Sequence, residues 1–317
     1  MNGLKPVDMS DYSYDYMSSF NIPCWNPRCY GNLPLPPKPD KIVISVCVST
    51  WARSEQIIQT SVESVFNQSF PPENYEVILV DDATEGFRLD ELLNAVKYLI
   101  REYPNHNFRA YFIKHSRSWN DTHTLNVAFK RALGWIIIQN QSDVIFLDNI
   151  LESAWRHHNH QIKLRVFPHV MNLFNDGSLK PSWIGTGKNS DNPEHNPEPH
   201  ELGASYPRKC VHKIKGRDER IKRVPPDEEF QWNMRALCGL IAVKDPSVRV
   251  ANRQFKWPPE WNVKSLPRQL TPELQQQTRD RPFKTIWADN DNWGLLILEE
   301  EKLTQMTEAM KTNLSKQ

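Results

Sequence analysis

Four strand-like runs, the first of them rich in β-branched residues, alternate with helix-periodic segments in the first half of the chain. This alternation limits the fold more than any other feature. The run 42–48 has turn signals on both sides and predicts a buried strand. Ile58, Val62 and Val65 recur at i, i+4 and i+7 and predict a short amphipathic helix. The run 75–80 predicts the next strand and ends in Asp81-Asp82. Leu89, Leu92, Leu93, Val96, Leu99 and Ile100 make a helical face. Residues 108–113 alternate as a strand, 125–133 read as a helix and 134–138 as a further strand. A β-α-β-α-β-α-β order predicts an α/β fold, a mainly parallel sheet with helices on both faces. Ligands of such sheets bind beyond the carboxyl ends of the strands. Residues 49–53, Asp81-Asp82, 114–126 and 139–143 fall there.

Composition removes several competing readings. The 317 residues carry 39 Lys or Arg against 38 Asp or Glu, a net charge of +1, which argues against a chain that coats nucleic acid. Glycine is scarce, 11 residues against 24 proline, so a fold built on glycine-rich loops is disfavoured. Neither a G-x-G-x-x-G nor a G-x-x-x-x-G-K-[ST] string occurs; Gly185-Thr186-Gly187-Lys188-Asn189 lacks the upstream glycine and the final hydroxyl. No apolar stretch is long enough to predict a membrane span. Residues 1–19 are polar and acidic, without a signal-peptide pattern, so a cytoplasmic protein is expected. Five cysteines are an odd count in a chain large enough not to need staples, and reduced thiols are expected. Cys24 and Cys29 have a metal-site spacing that no second pair completes.

The chain divides into four parts. Residues 1–41 form an extension ending in a proline-rich run that favours extended backbone. Residues 42–150 carry the alternating half and 151–252 an irregular second half of the same domain. Residues 253–317 form a C-terminal extension, with a closing helix expected over 295–310. Within the second half, 175–206 is a long polar loop, and 230–237 reads as a helix stopped by Gly239. Residues 240–250 read as a strand. The run 208–223 is basic, eight Lys or Arg against Asp218 and Glu219. It is a solvated face, or a patch that steers a phosphate-bearing acceptor such as nucleic acid. His157, His158 and His160 read as an exposed polar helix face, since only 157 and 160 share a side.

The strings themselves carry a resemblance. Val46-Cys47-Val48-Ser49-Thr50-Trp51-Ala52-Arg53, then Val77-Ile78-Leu79-Val80-Asp81-Asp82-Ala83-Thr84, resemble the opening of family 2 glycosyltransferases of the GT-A fold. Their usual strings are V-x-I-P-T-Y-N-R and V-I-V-V-D-D-x-S/T, so Ser49, Trp51 and Ala52 replace Pro, Tyr and Asn. Trp119 to Gln139-Asn140 resembles a branch reading W-x-x-P-x-x-x-N-x-G-F-K-x-A-K-G-x-I-I-I-Q-N-P-E. The resemblance covers about residues 42–150. It implies a GT-A domain with a Rossmann-like, mainly parallel sheet and an irregular C-terminal acceptor region. It also implies transfer of a sugar from a nucleotide donor such as a UDP-sugar.

The resemblance assigns the donor site residue by residue. Asp82, with Asp81 beside it, would accept the base N–H, and Trp51 would wall the base. A strand-ending turn and core packing are the plain alternatives. Ser49, Thr50, Arg117 and Asn126 lie at donor-contacting positions. Arg53 meets a phosphate or pairs with an acid. The metal string of the family, D-x-D or D-D, reads Gln139-Asn140-Gln141-Ser142-Asp143 here, leaving Asp143 with Ser142 as companion and Asp148 nearby. Mn²⁺ or Mg²⁺ there would offset diphosphate charge.

In the second half Gly216-Arg217-Asp218-Glu219-Arg220 resembles G-F-D-E-R and Asp227-Glu228-Glu229-Phe230 resembles the acidic string that holds the base. Inverting transfer needs a carboxylate to take the acceptor proton. Anchoring on Phe230 picks Asp227, anchoring on Arg235 picks Glu229, and Glu228 lies between. Trp183, Arg217, Asp218 and Glu219 are acceptor-side candidates, with Trp257, Trp261, Asp289 and Asp291 in reserve. Asn252 stands where the family often has His.

The expectation is therefore an inverting glycosyltransferase of hexosyl or pentosyl type. Its acceptor would be a glycan or a modified base in nucleic acid. A catalytically inactive module binding nucleotide or carbohydrate is the rival. A sugar-phosphate nucleotidyltransferase ranks lower, because 49–53 has no glycine. Neither the sugar nor the oligomeric state follows from the sequence.

Overall fold

The computed structural model describes residues 41–82, 89–114, 121–161, 163–182, 201–217, 226–253 and 302–307, with 310 and 312. The sequence order of elements is β1 (Ile44–Thr50), α1 (Glu55–Phe66), β2 (Tyr75–Asp82), α2 (Leu89–Glu102), β3 (Asn107–Lys114), α3 (Asp121–Arg131) and β4 (Ile136–Gln141). There follow β5 (Val144–Phe146), α4 (Ile150–His160), β6 (Leu164–Leu173), β7 (Leu179–Pro181), β8 (Ser205–Pro207), α5 (Arg208–Lys213), α6 (Pro226–Cys238), β9 (Ile241–Arg253) and β10 (Lys302–Gln305).

The sheet runs β10-β3-β2-β1-β4-β8-β6-β9-β5, with β7 paired to β6. Strands β3, β2, β1 and β4 are mutually parallel neighbours, as the alternation predicts. β8 runs antiparallel between β4 and β6, so β6 and its parallel neighbour β9 point the same way as β4. β1 and β2 are buried at every residue, which explains their unbroken apolar runs.

Side chains alternate between two cores. Val46, Val48, Val77, Leu79 and Ile138 meet α1, α2 and α4 on one face. Cys47, Ile78, Val80 and Ile137 meet α3, α5 and α6 on the other. Gly134 enters β4 against the β1 backbone: a Cβ there would lie 2.5 Å from the Ile44 carbonyl carbon, so only glycine fits.

Three expectations are corrected. Residues 302–305, inside the expected closing helix, form β10, antiparallel to the edge strand β3. Cys210 and Cys238 are joined by a disulfide, where reduced thiols were expected; Cys47 stays a buried thiol. His157 and His158 are buried rather than exposed, because α4 turns them toward β9 and β8. His157 Nε2 lies 3.0 Å from Asp245 Oδ2, which also accepts from Ser153 Oγ at 2.6 Å. Burial works against the charge on Asp245, but hydrogen bonds from His157, Ser153 and Ser247 hold its carboxyl well below the usual range. Burial, then the neighbouring His157, push His158 down to about 3. The extension 1–40, Cys24, Cys29, Trp257, Trp261, Asp289 and Asp291 lie outside the described residues.

Candidate active site

The carboxyl ends of β1, β2 and β4 meet in register. Thr50 pairs with Asp81 and Ser49 with Gln141, so the polar residues that follow each apolar run collect at one edge. Continuing the alternation, Asp81 and Thr50 take the face of Leu79 and Val48, and Asp82 takes the face of Val80. Ser49, Thr50, Asp81, Asp82 and Ser142 are all buried, while Trp51 and Arg53 are half-buried.

Asp143 closes this edge. Its backbone is bracketed: the Ser142 N–H donates to Ser49 O at 2.9 Å and the Arg253 N–H donates to Asp143 O at 3.0 Å. The Ser142 hydroxyl donates to Thr50 Oγ1 at 2.9 Å, tying β4 to β1. Arg53 Nη2 donates to Asp143 Oδ2 at 2.7 Å. Asp143 Oδ1 is buried with no hydrogen-bond partner among the described residues. Asn252 pairs with Val144, so the position where the family often has His stands beside Asp143. Asp148, the second nearby carboxylate, is engaged elsewhere: Arg249 donates to both its oxygens at 2.8 and 3.1 Å and holds its carboxyl below the ordinary value.

The turn between β1 and α1 is strained. Ala52 has φ 48°, a left-handed conformation that costs a non-glycine residue roughly 1–2 kcal/mol. Asn tolerates it, which accounts for the Asn in the family string. A strained residue between Trp51 and Arg53 aims both side chains.

A hard divalent cation fits here on one count. Asp143 Oδ1 is an oxygen without a protein partner, and Mg²⁺-type ions take one or two carboxylates with the rest from phosphate and water. No group of three His, Cys, Asp or Glu ligands forms among the described residues. Asp143 would hold such an ion, while the Ser142 hydroxyl proton goes to Thr50.

Two candidates prove to be core. Asn126 and Arg217 are both buried and clamp each other: Asn126 Nδ2 donates to Arg217 O, and the Arg217 N–H donates to Asn126 Oδ1, each at 2.8 Å. The Arg217 guanidinium pairs with Glu201, donates to Gln139 Oε1 at 2.9 Å and lies 3.6 Å from Asp121. The string Gly216-Arg217 thus fastens the second half to α3 and β4.

The first residues of the basic run have structural partners. α5 follows antiparallel β8 to the opposite end of the sheet, where cations cover the carbonyls ending α3. Arg131 donates to Val127 O at 3.2 Å, Arg109 to Arg131 O at 2.8 Å and Arg208 to Ala132 O at 2.7 Å. His212 lies 3.0 Å from Phe129 O, and burial pushes its imidazole down. The arginines complement the helix dipole.

α6 starts at the edge that holds Asp143 and ends at the opposite one, because Cys238 leads into the first residues of β9. Asp227, Glu228 and Glu229 occupy its first turn. Its body is fixed by Phe230 and Met234 in the core. Arg117, Trp183, Asp218 and Glu219 lie outside the described residues. The β6–β7 hairpin rises at the same edge and exposes Phe174 and Leu179, with Lys180 Nζ 5.2 Å from the Phe174 ring. Sequence reasoning also passed over Asn140, buried on β4 with neither amide atom hydrogen-bonded.

A curled, mostly parallel sheet with its polar edge at the strand ends is the GT-A arrangement. A mannosyltransferase from Pyrobaculum calidifontis, solved with GDP-Man and Mn²⁺, shares it at TM-score 0.52 and 18% identity, over 72% of this chain and 62% of that one. GalNAc-T7, solved with UDP, GalNAc and Mn²⁺, shares it at TM-score 0.52 and 14% identity, over 68% of this chain and 44% of that one. The chain therefore spans less than two thirds of either structure. Residues 45–162 match the family described as Glycosyl transferase family 2. No curated protein matches the chain. Among the described residues no helix is long and apolar enough to cross a membrane.

Proposed function

We propose that the protein is an inverting glycosyltransferase that moves a sugar from a nucleotide-sugar donor to an acceptor hydroxyl. The observation that carries this is the single edge joining Thr50, Asp81, Asp82, Arg53 and Asp143 within a family 2 domain. Asp82 and Asp81 accept from the base, and Trp51 walls it. Arg53 is within reach of a donor diphosphate, for which its planar fork is suited. A divalent cation at Asp143 would supply charge compensation for the departing nucleoside diphosphate.

A carboxylate among Asp227, Glu228 and Glu229 takes the acceptor proton as the acceptor oxygen attacks the anomeric carbon. The new C–O bond forms as the bond to the diphosphate breaks on the opposite side, which inverts the centre. The acceptor is a glycan or a modified base in nucleic acid. The first part of the basic run lends no weight to the second, since it lies at the far end of the sheet.

Donor hydrolysis and transfer, measured across UDP-, GDP-, CMP- and dTDP-sugars with Mn²⁺, test the reading. Turnover of one donor, lost on Asp143→Ala and on one of Asp227→Ala or Glu229→Ala without unfolding, is expected. Full rate in all three variants would reject these residues. The single carboxylate left in the metal string, Asp143, and Asn252 beside it favour one rival, an inactive module. Binding of a nucleotide sugar with no turnover of any would establish that rival.

A further inference from the structure

We propose that the β6–β7 hairpin docks the acceptor, that this acceptor is a glycan, and that Phe174 stacks on one of its sugar rings. This rests on the donor-site reading above and narrows it, by choosing between the two acceptors left open there.

Position comes first. The Ser142–Asp143 turn is bracketed by two strands: the Ser142 N–H donates to Ser49 O on β1, and the Arg253 N–H of β9 donates to Asp143 O. The base and diphosphate positions lie on the side of β1 and β2. In-line displacement brings the acceptor from the side opposite the diphosphate, which is the side of β9, β6 and β7. Leu173 pairs with Arg253 on β9 and with Leu179 on β7. Two strand spacings, roughly 10 Å, therefore separate the Asp143 backbone from the start of the hairpin loop. A short saccharide spans that gap.

The hairpin also holds a ring in place. The Phe174 N–H donates to Ser178 O at 3.0 Å, the Gly177 N–H to Phe174 O at 2.9 Å, and the Ser178 N–H to Asp176 Oδ1 at 2.9 Å. Gly177, with φ 78°, supplies the left-handed residue that closes a loop of this kind. Asn172 pairs with Lys180, so Lys180 lies diagonal to Phe174 on one face of the ribbon, its Nζ 5.2 Å from the ring centroid. The ring is oriented, yet Phe174 stays 38% exposed. Among the described residues the exposed large apolar side chains are Phe174, Leu179 and Leu133. The first two belong to this hairpin, and Leu133 stands before the amino end of β4.

Charge selects the partner. Residues 171–181 hold one cation, Lys180, and one acid, Asp176, so the hairpin is neutral. Nucleic-acid binding draws on the neutralisation of several phosphates, which a neutral ribbon does not supply. A membrane-seeking tip would be apolar, whereas this loop reads Asn175-Asp176-Gly177-Ser178. A sugar presents a C–H face to the negative face of the phenyl ring, and hydroxyls to the Lys180 ammonium.

Saturation-transfer NMR on the full chain tests binding without turnover, with the methyl glycosides of glucose, galactose, mannose and N-acetylglucosamine as probes. Wild type should bind at least one. Phe174→Ala should weaken that probe about tenfold and raise its KM in transfer by the same factor. The donor KM and the rate of donor hydrolysis should not change. Phe174→Tyr should restore binding, Lys180→Met should weaken it about threefold, and Leu133→Ala should leave it alone. Urea midpoints should match wild type, since each of these side chains is exposed.

Unchanged probe affinity in Phe174→Ala would overturn the platform. An equal fall in donor hydrolysis would do the same, since it marks a structural role. So would a wild type that binds none of the glycosides, or one that binds a DNA oligomer, single-stranded or duplex, through Phe174 in their place. A wild type that binds glycosides through Phe174 but no UDP-, GDP-, CMP- or dTDP-sugar would instead sink the donor-site reading and leave the hairpin as a sugar-binding surface.

Discussion

The two ends of the sheet both gather charge and use it differently. At the amino end of β4, Arg109, Arg131, Arg208 and His212 are set against the carbonyls that finish α3. Arg131 and Arg208 are matched by the helix end they cap, while Arg109 also pairs with Glu76. At the carboxyl end, Arg53 meets only one oxygen of Asp143, and the other has no partner among the described residues. A charged cluster is thus architecture or chemistry according to what it faces. The richer cluster in this chain is the architectural one.

The largest effect that separates the ends is in catalysis. Asp143→Asn should lower kcat by roughly 10²–10³ with the urea midpoint unchanged, if the carboxylate acts on developing charge. Arg208→Met should leave kcat alone and lose about 1 kcat-independent kcal/mol of stability, read by urea unfolding. A drop in activity for Arg208→Met at unchanged stability would break the comparison. Gly134→Ala, at the architectural end, should cost about 3 kcal/mol through its clash with the β1 backbone, measured by the same unfolding.

Stability should fall with pH below the ordinary histidine value of 6.5. His158 is held near 3, so the unfolded chain binds its proton first, and folding is opposed as pH drops. The slope contributed is at most about 1.4 kcal/mol per pH unit. Asp245 adds in the same direction: its depressed carboxyl stabilises above the unfolded value of 3.8 and ceases to as pH falls further. Thermal unfolding from neutral to acidic pH checks this, and His158→Gln should flatten the upper part. The smallest effect is at the site end, where Ala52→Gly should stabilise by about 1 kcal/mol by relieving the left-handed strain, with KM for donor rising as Trp51 and Arg53 lose their aim.

The first half was legible because its signals are local. Apolar runs of period suited to strands, and Leu92, Val96 and Leu99 at helical spacing, need no distant partner. The strands end about two residues later than hydrophobicity suggests, since Ser49, Thr50, Asp81 and Asp82 join the ladder through their backbones. Asp143 was singled out as a candidate by its place after the strand that forms β4. What stayed hidden was set by pairings across long separations. Asn126 and Arg217 are 91 residues apart, and His157 and Asp245 are 88 apart. The basic run left two readings open, a solvated face or an acceptor-steering patch, because nothing in it reveals that β8, which leads into it, runs antiparallel to β4. Residues 302–305 followed an available edge strand against their helical pattern.

The bond between Cys210 and Cys238 has a consequence for how the two halves hold together. It closes a covalent ring of sequence separation 28, and Arg217, the residue that Asn126 grips, lies inside that ring. Closing such a ring restricts the unfolded chain by about 3.5 kcal/mol in the loop-entropy account. The restriction falls wholly on the second half, while the donor-side strands depend on none of it. An oxidising surrounding therefore secures the helix that starts at Pro226 and ends at Cys238, and a reducing one leaves that helix to its packing alone.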